Sequence, residues 1–407
     1  MKKNSIQERI RQSSLLRKEP SWLIDLRLQV LTKLLKADAL HKEDLDLFKA
    51  KSNVLLKEID PLPRFMQVGA QNVYEQLPRE LIDQGVILTN FQEAVKKHEL
   101  LVKEYWQAKS ELFAWDLKLA ELIAFMDSGA FLYVPKNVEI TLPVEYFWIK
   151  PDKSGAPVYS TVLLLVEEGA KVDYVERIQS VEDSGDQPFS LHLLTEVIAK
   201  KGAKVNFWAN ETFNQQVKAH IWRVGKLYRD SQVNWQINVL SNGDTDLKLE
   251  VDLVGEGACT NVKIAGISSG KQKLKIQTQV RNHAKYSKGK IVQHGVVMDE
   301  SKLSFEGIGE IQKGAKGAVS QQESQMLMLS DQALVQVNPI LLIDEDEVSA
   351  GHAASIGRVD EEAMYYLMSR GIDKKEAIYL LICGFLDLGR QSFSSEWTEA
   401  VKRKLNV

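Results

Sequence analysis

Among 407 residues the chain has only two cysteines, Cys259 and Cys383. Two thiols cannot build a disulfide framework, and no Cys-x-x-Cys pair is present to hold zinc or run dithiol redox chemistry. Long apolar runs are lacking as well. The greasiest stretch, 379–388, is about half of the roughly 20 residues a bilayer-spanning helix needs. There is no Gly-x-x-x-x-Gly-Lys-Ser/Thr phosphate loop, and the glycine-rich turns lie between strands rather than ahead of a helix, so the chain is not expected to hydrolyse ATP. No Gly-x-Ser-x-Gly elbow occurs. The net charge of −3 creates no field favouring nucleic acid or an anionic membrane. The first residues, Met1-Lys-Lys-Asn-Ser-Ile-Gln-Glu-Arg-Ile-Arg11, lack the apolar core of a signal peptide, so a reducing, cytoplasmic setting is expected.

What the chain does have is ordinary globular composition, 44% hydrophobic and 26% charged, and a change of period along its length. Residues 1–126 read as a helical region. Trp22, Leu23, Leu26, Val30, Leu31, Leu34 and Leu35 recur at helical spacing behind Pro20 and Ser21. A second helix is expected over 90–126, ended by Asp127-Ser-Gly129. Between them Pro61, Pro63 and Pro78 mark a loop-rich stretch.

Over 127–357 the period becomes two. Leu247-Lys-Leu-Glu-Val-Asp-Leu253 alternates strictly, with looser versions around it and no helical pattern to make a βαβ sheet. The turns repeat: Gly169-Ala-Lys-Val172 returns as Gly202-Ala-Lys-Val205 and as Gly314-Ala-Lys-Gly317. Gly257-Ala-Cys-Thr260 and His283-Ala-Lys-Tyr286 look like degenerate copies. A repeat of about 30 residues, two strands and two turns, predicts a stacked β-solenoid. A β-sandwich with glycine-rich turns is the other fold these signals allow. Helical segments at both chain ends would cap the end coils.

Residues 358–407 read as a helical hairpin. Asp360 is placed to cap a helix, Gly371 to end it in a left-handed turn, and Asp373 with Glu376 to start the next. Ala377, Leu381, Gly384, Phe385 and Leu388 are expected to share its buried face, and Gly389 to end it. His352 stands just ahead, at the joint of strand and helix, among the small residues Ala350, Gly351, Ala353 and Ala354. A neutral imidazole there is either a metal ligand open to a partner or a histidine hydrogen-bonded at a strand end. The acidic run Asp344-Glu-Asp-Glu347 reads as a solvated turn. Cys259 and Cys383 read as small buried hydrophobes. His192, His220, His283 and His294 lack HxH or HxxxH spacing and read as structural.

Ser349-Ala-Gly-His-Ala-Ala-Ser-Ile-Gly357 followed by Asp360-Glu-Glu-Ala-Met-Tyr-Tyr-Leu-Met-Ser-Arg-Gly371 closely resembles the C-terminal signature of the SufB/SufD family, which helps assemble iron–sulfur clusters. Glu19-Pro-Ser-Trp-Leu-Ile-Asp-Leu-Arg27, the segment 85–105 and Ser128-Gly-Ala-Phe-Leu-Tyr-Val-Pro-Lys136 resemble it too, in family order. With few cysteines and a short chain, the resemblance is to the SufD side. It implies a right-handed parallel β-helix flanked by N-terminal and C-terminal α-helical regions. It also implies a non-enzymatic scaffold that pairs with a SufB-type subunit and docks a SufC-type ABC ATPase through its C-terminal helices. His352 is the residue it points to, at the subunit interface and as a metal ligand; Tyr365, Tyr366, Arg370 and Gly371 are the docking surface. No cofactor is expected to be held firmly by this chain alone, only transient iron or a nascent cluster at the interface. Ala350 stands where some relatives carry cysteine, so a thiolate would have to come from the partner. The rivals are a polysaccharide-active β-helix enzyme, which needs a groove with aromatic rails, and a homodimeric structural protein with no ATPase.

Overall fold

The structure is a computed structural model that describes residues 2–36, 62–106, 116–151, 157–180, 187–386 and 394–405. It opens with helices α1 (Lys2–Leu16) and α2 (Ser21–Lys36). Leu23, Leu26, Val30, Leu31 and Leu34 of α2 are buried, as their spacing predicts. The stretch read as helical then holds three strands, β1 (Arg64–Val68), β2 (Gln71–Gln76) and β3 (Ile87–Asn90), around a one-turn helix α3 (Arg79–Asp83). Phe65, Met66 and Val68 are too close together to show a period, which is why the proline-rich surroundings read as loop. The expected helix over 90–126 is three shorter ones, α4 (Phe91–Lys97), α5 (Glu99–Trp106) and α6 (Leu117–Phe125). Asn90 caps α4 and Asp116 caps α6, each side-chain oxygen accepting backbone N–H bonds. Leu112 and Trp115 lie outside the described residues.

Sixteen strands follow, two to a coil: β4 (Ser128–Val134), β5 (Val144–Lys150), β6 (Val158–Val166), β7 (Lys171–Ser180), β8 (Phe189–Ala199), β9 (Lys204–Thr212), β10 (Val217–Leu227), β11 (Gln232–Val239), β12 (Thr245–Leu253), β13 (Cys259–Ser268), β14 (Lys273–Asn282), β15 (Lys288–Val297), β16 (Lys302–Ile311), β17 (Val319–Met328), β18 (Leu334–Ile343) and β19 (Ser349–Arg358). Helices α7 (Glu361–Ser369), α8 (Lys374–Leu386) and α9 (Ser394–Leu405) close the chain. Odd strands from β5 to β19 pair in parallel in one sheet and even strands from β4 to β18 in the other. This is the stacked β-solenoid, of about seven turns, and not a sandwich.

The turn before each odd strand shows why the sequence repeats. Gly169, Gly202, Gly257 and Gly317 have positive φ, and the alanine after each is fully buried. Asp230 and Tyr286 take the same left-handed conformation, followed by buried Ser231 and Ser287. Backbone bonds climb this corner from coil to coil: Gly202 N–H to Arg229 O, Asp230 to Glu256, Gly257 to Lys285, Tyr286 to Lys316, Gly317 to Glu347. Two of the sequence copies are therefore out of phase by three residues. The register aligns Ser287 and Ala318, not Ala284 and Ala315, with Ala258. Gly-Ala dipeptides occur at both spots, and only strand register separates them.

Inward residues stack into ladders. Tyr174, Phe207 and Trp235 lie one above another, with ring centroids 5.2 and 4.7 Å apart. Fully buried Arg223 bridges Glu176 at 2.6 Å and Glu211 at 2.9 Å. On the outer face of the odd sheet Asp173, Asn206, Asn234 and Asn261 pass hydrogen bonds of 2.8 to 3.0 Å along the stack.

Apart from the one-turn α3 at the first coil, the helices do not sit over the end coils, as the sequence suggested; those with buried faces lie on the sheets. Those of the N-terminal region bury Leu31, Val95, Trp106 and Ile123 against outward Tyr159, Leu163, Leu194 and Trp222 of the even sheet. Helices α8 and α9 bury Ile382, Leu386 and Val401 against Leu240, Ile267 and Val296 of the odd sheet. What closes the first coil is strand: β2 and β3 run antiparallel to their neighbours, and Leu77, Leu81, Val86 and Leu88 pack on the core.

Candidate functional site

At the other end nothing is closed. Strands β18 and β19 each lie at a sheet edge, and among the described residues no strand pairs with their free sides. Pro339 is the one proline inside a strand among the described residues. An edge strand tolerates its missing N–H. Leu334, Leu342, Ile343 and Ile356 are exposed on this coil, Ile356 at 52%.

His352 sits in the middle of β19. The register pairs Ala350, His352, Ala354 and Ile356 with Ser320, Gln322, Ser324 and Met326 of β17, all four of them buried inside the solenoid. Side chains alternate along a strand, so His352 belongs to the inward row of the last coil. It is exposed, and among the described residues no coil lies above it. Among the described residues it has no hydrogen-bond partner.

Two residues beyond β19, Asp360 caps α7 by accepting from the N–H groups of Glu362 (2.9 Å) and Ala363 (3.2 Å). Asp373 caps α8 in the same way through Lys375 and Glu376. Gly371 has φ +89, the left-handed geometry expected of it. Helix α7 has no buried residue. Tyr365 is 75% exposed and Tyr366 57%, with the Arg370 guanidinium 5.2 Å from the Tyr366 ring centroid. The buried face of α8 is Ala377, Tyr379, Ile382 and Leu386, whereas Leu381 and Phe385 are half-buried and Gly384 is exposed. The sequence reading was thus rotated, because both sides of this helix are apolar. Leu388 and Gly389 lie outside the described residues. A third helix, α9, was missed. Its Lys404 is buried, donates to Ile267 O (2.7 Å) and Gln272 Oε1 (3.0 Å), and is pushed down to about 7 by desolvation.

The other candidates fall into structural roles. Glu345 is buried and accepts from the Gly314 N–H at 2.8 Å, and Glu347 pairs with Lys316, so half of the acidic turn stitches coils together. Cys259 and Cys383 are half-buried rather than core, and burial raises both thiol pKa values away from thiolate chemistry. His192 stacks between Tyr159 and His220 beneath α6, and burial drives its pKa down to about 3. His283 bridges Asp252 and Gln312, and His294 stacks on Phe385. Among the described residues no three His, Cys, Asp or Glu side chains converge as a metal site, so His352 would need donors from elsewhere. Trp208 lies on the open outer face, Trp222 is covered by helices and Trp235 is inside, so the tryptophans form no rail.

The class of molecule is now defined: a two-sheet parallel β-solenoid, closed by reversed strands at its first coil and open at its last. Residues 148–385 match the family described as SUF system FeS cluster assembly, SufBD core domain. The chain is 35% identical to the iron–sulfur cluster assembly protein SufD of Bacillus subtilis over 98% of both chains. It is 26% identical to iron–sulfur cluster assembly SufBD family proteins of Staphylococcus saprophyticus and Staphylococcus haemolyticus, over 97% of this chain and 90% of theirs. The chain belongs to the SufB/SufD family, and its role lies in iron–sulfur cluster assembly. No helix among the described residues is long and apolar enough to cross a membrane.

Proposed function

We propose that the chain is a non-enzymatic scaffold subunit, in which the open last coil pairs with the corresponding coil of a SufB-type subunit. One observation carries this reading: two ten-residue edge strands lie free side by side, with exposed Leu334, Leu342, Ile343 and Ile356 on them. Unpaired edges with apolar side chains are templates for strand addition. A second solenoid end would satisfy the free N–H and C=O groups and cover the apolar residues in one step. His352 would then face the partner from the inward row, where a neutral imidazole can donate a nitrogen to iron or a nascent cluster, which is cargo here and not a resident cofactor. Thiolates would come from the partner.

Helix α7 offers Tyr365, Tyr366 and Arg370 to a SufC-type ATPase. Aromatic and arginine side chains on the exposed side of a helix make good anchors. The link of Val359 and Asp360 between β19 and α7 is short enough for motion of the helix to reach the last coil. Cytoplasmic location fits these partners.

The test is co-expression with SufB-type and SufC-type subunits. Deleting residues 360–407 should abolish ATPase co-purification and leave the pairing with the SufB-type subunit. His352→Ala should leave melting unchanged and cut cluster formation at least tenfold. Full assembly by that variant removes His352 from the mechanism. A chain that pairs only with itself and ignores the ATPase is the homodimer alternative.

A further inference from the structure

The inward row just beneath His352 is polar, unlike most of the solenoid interior. Gln322 is buried one rung below it and is its register partner. The Gln322 Nε2 donates to Ile340 O at 2.9 Å, which fixes which way the amide faces. Its Oε1 is buried and accepts nothing. Between residues 299 and 360 it is the one buried side-chain acceptor left so. The amide oxygen of the neighbouring Gln293, by contrast, takes the Ser324 hydroxyl at 2.9 Å. Room for Gln322 is built in by two glycines on β16. A Cβ on Gly307 would come within 3.0 Å of Gln322 Oε1, and one on Gly309 within 2.6 Å of Nε2.

A buried acceptor without a donor thus stands one rung below an imidazole that has no hydrogen-bond partner among the described residues. Adjacent strands are about 4.8 Å apart, so side chains in register lie within reach of each other. Stacking of another coil on β19 would bury the imidazole, and its N–H would then need an acceptor. Histidines that bind metal through one nitrogen nearly always donate the other N–H to a carbonyl or carboxylate.

We infer that Gln322 is a positioning residue for His352: its Oε1 accepts one imidazole N–H in the assembled complex, which fixes tautomer and ring plane and leaves the other nitrogen bare toward the partner. The inference rests on the reading of His352 given above. The test is made on the full chain in complex with its SufB-type partner. Gln322→Met keeps the volume and loses the acceptor; Gln322→Glu keeps an acceptor. Histidine-selective nitrogen NMR reads the His352 tautomer, and assembly is followed with ferrous iron and sulfide. The Met variant should give mixed tautomers and lose about 10- to 100-fold in iron affinity, while the Glu variant, whose protonated carboxyl can still donate to Ile340 O and accept from the ring, keeps the parent's single tautomer. If the Met variant does not fold, Gln322→Asn serves, its carbonyl being one carbon short. A single unchanged tautomer in the Met or Asn variant overturns the inference, whatever the assembly rate, because a group other than Gln322 then sets it. Unimpaired assembly by His352→Ala together with a tautomer that responds to Gln322 leaves this contact standing and defeats only the parent reading.

Discussion

The two ends of the solenoid are built from the same kind of strand and finished in opposite ways. At the first coil β2 and β3 reverse direction. Both are short, six and four residues, and β2 exposes Asn72 and Glu75. Core residues Phe65, Val86 and Leu88 seal it. At the last coil the strands keep their full ten residues and their parallel sense, and end with apolar side chains in the open. An edge that must stay single is short, polar and reversed; an edge meant to be extended is long, in register and greasy. On the proposed reading, the difference gives stability to one end and recognition to the other.

Substitutions can break that assignment. The largest effect is expected at the closed end. Phe65→Ala removes a fully buried ring stacked 6.0 Å from Tyr146 and should cost about 3–5 kcal/mol in denaturant unfolding. Ile356→Ala at the open end should cost under about 0.5 kcal/mol. Equal costs would mean that the last coil contributes to folding stability no less than the first.

Between these lies a pH effect on the face that carries the C-terminal helices. Lys404 is held at about 7, well below the ordinary lysine range, by burial. Between about pH 7 and 10 the unfolded chain therefore binds a proton that the folded chain does not. Stability should rise with pH across that window, by at most about 1.4 kcal/mol per unit, and flatten below pH 7 where both forms are protonated. Lys404→Met should remove the slope in thermal scans read at constant ionic strength. A slope that survives the substitution assigns it to another group.

The smallest stability effect should accompany the largest loss of association. Leu342→Asp with Ile356→Asp changes two exposed side chains, so unfolding should shift by no more than about 0.5 kcal/mol. Pairing with a SufB-type subunit, measured by co-purification, should be abolished. Retained pairing would move the interface elsewhere.

Much of this architecture was legible. Strand period, the glycine corner and the caps Asp360 and Asp373 are local signals, and the structure has them where the sequence places them. The phase of the repeat was legible only in part, since Gly314-Ala315 and Gly317-Ala318 look alike until the strands on either side are aligned. Strands β1 to β3 escaped because four to six residues carry too little periodicity, and the strands that tie β1 and β3 to the solenoid, β5 and β4, are far away in the chain. The wrong face was assigned to α8 because a helix apolar on both sides takes its orientation from what it leans on. Gln322 showed no signal: a glutamine in an alternating strand is read as outward, and only register turns it in.

By itself the sequence determined the unit of this protein: strand, left-handed corner, strand, repeated about every thirty residues, with capped helices after it. Those choices depend on φ, ψ and hydrogen bonds within a few residues. Tertiary structure alone decided which side of β19 carries His352 and that no described strand lies above it. Both follow from how coils stack, and stacking is settled by contacts between residues about thirty apart, which no local pattern encodes.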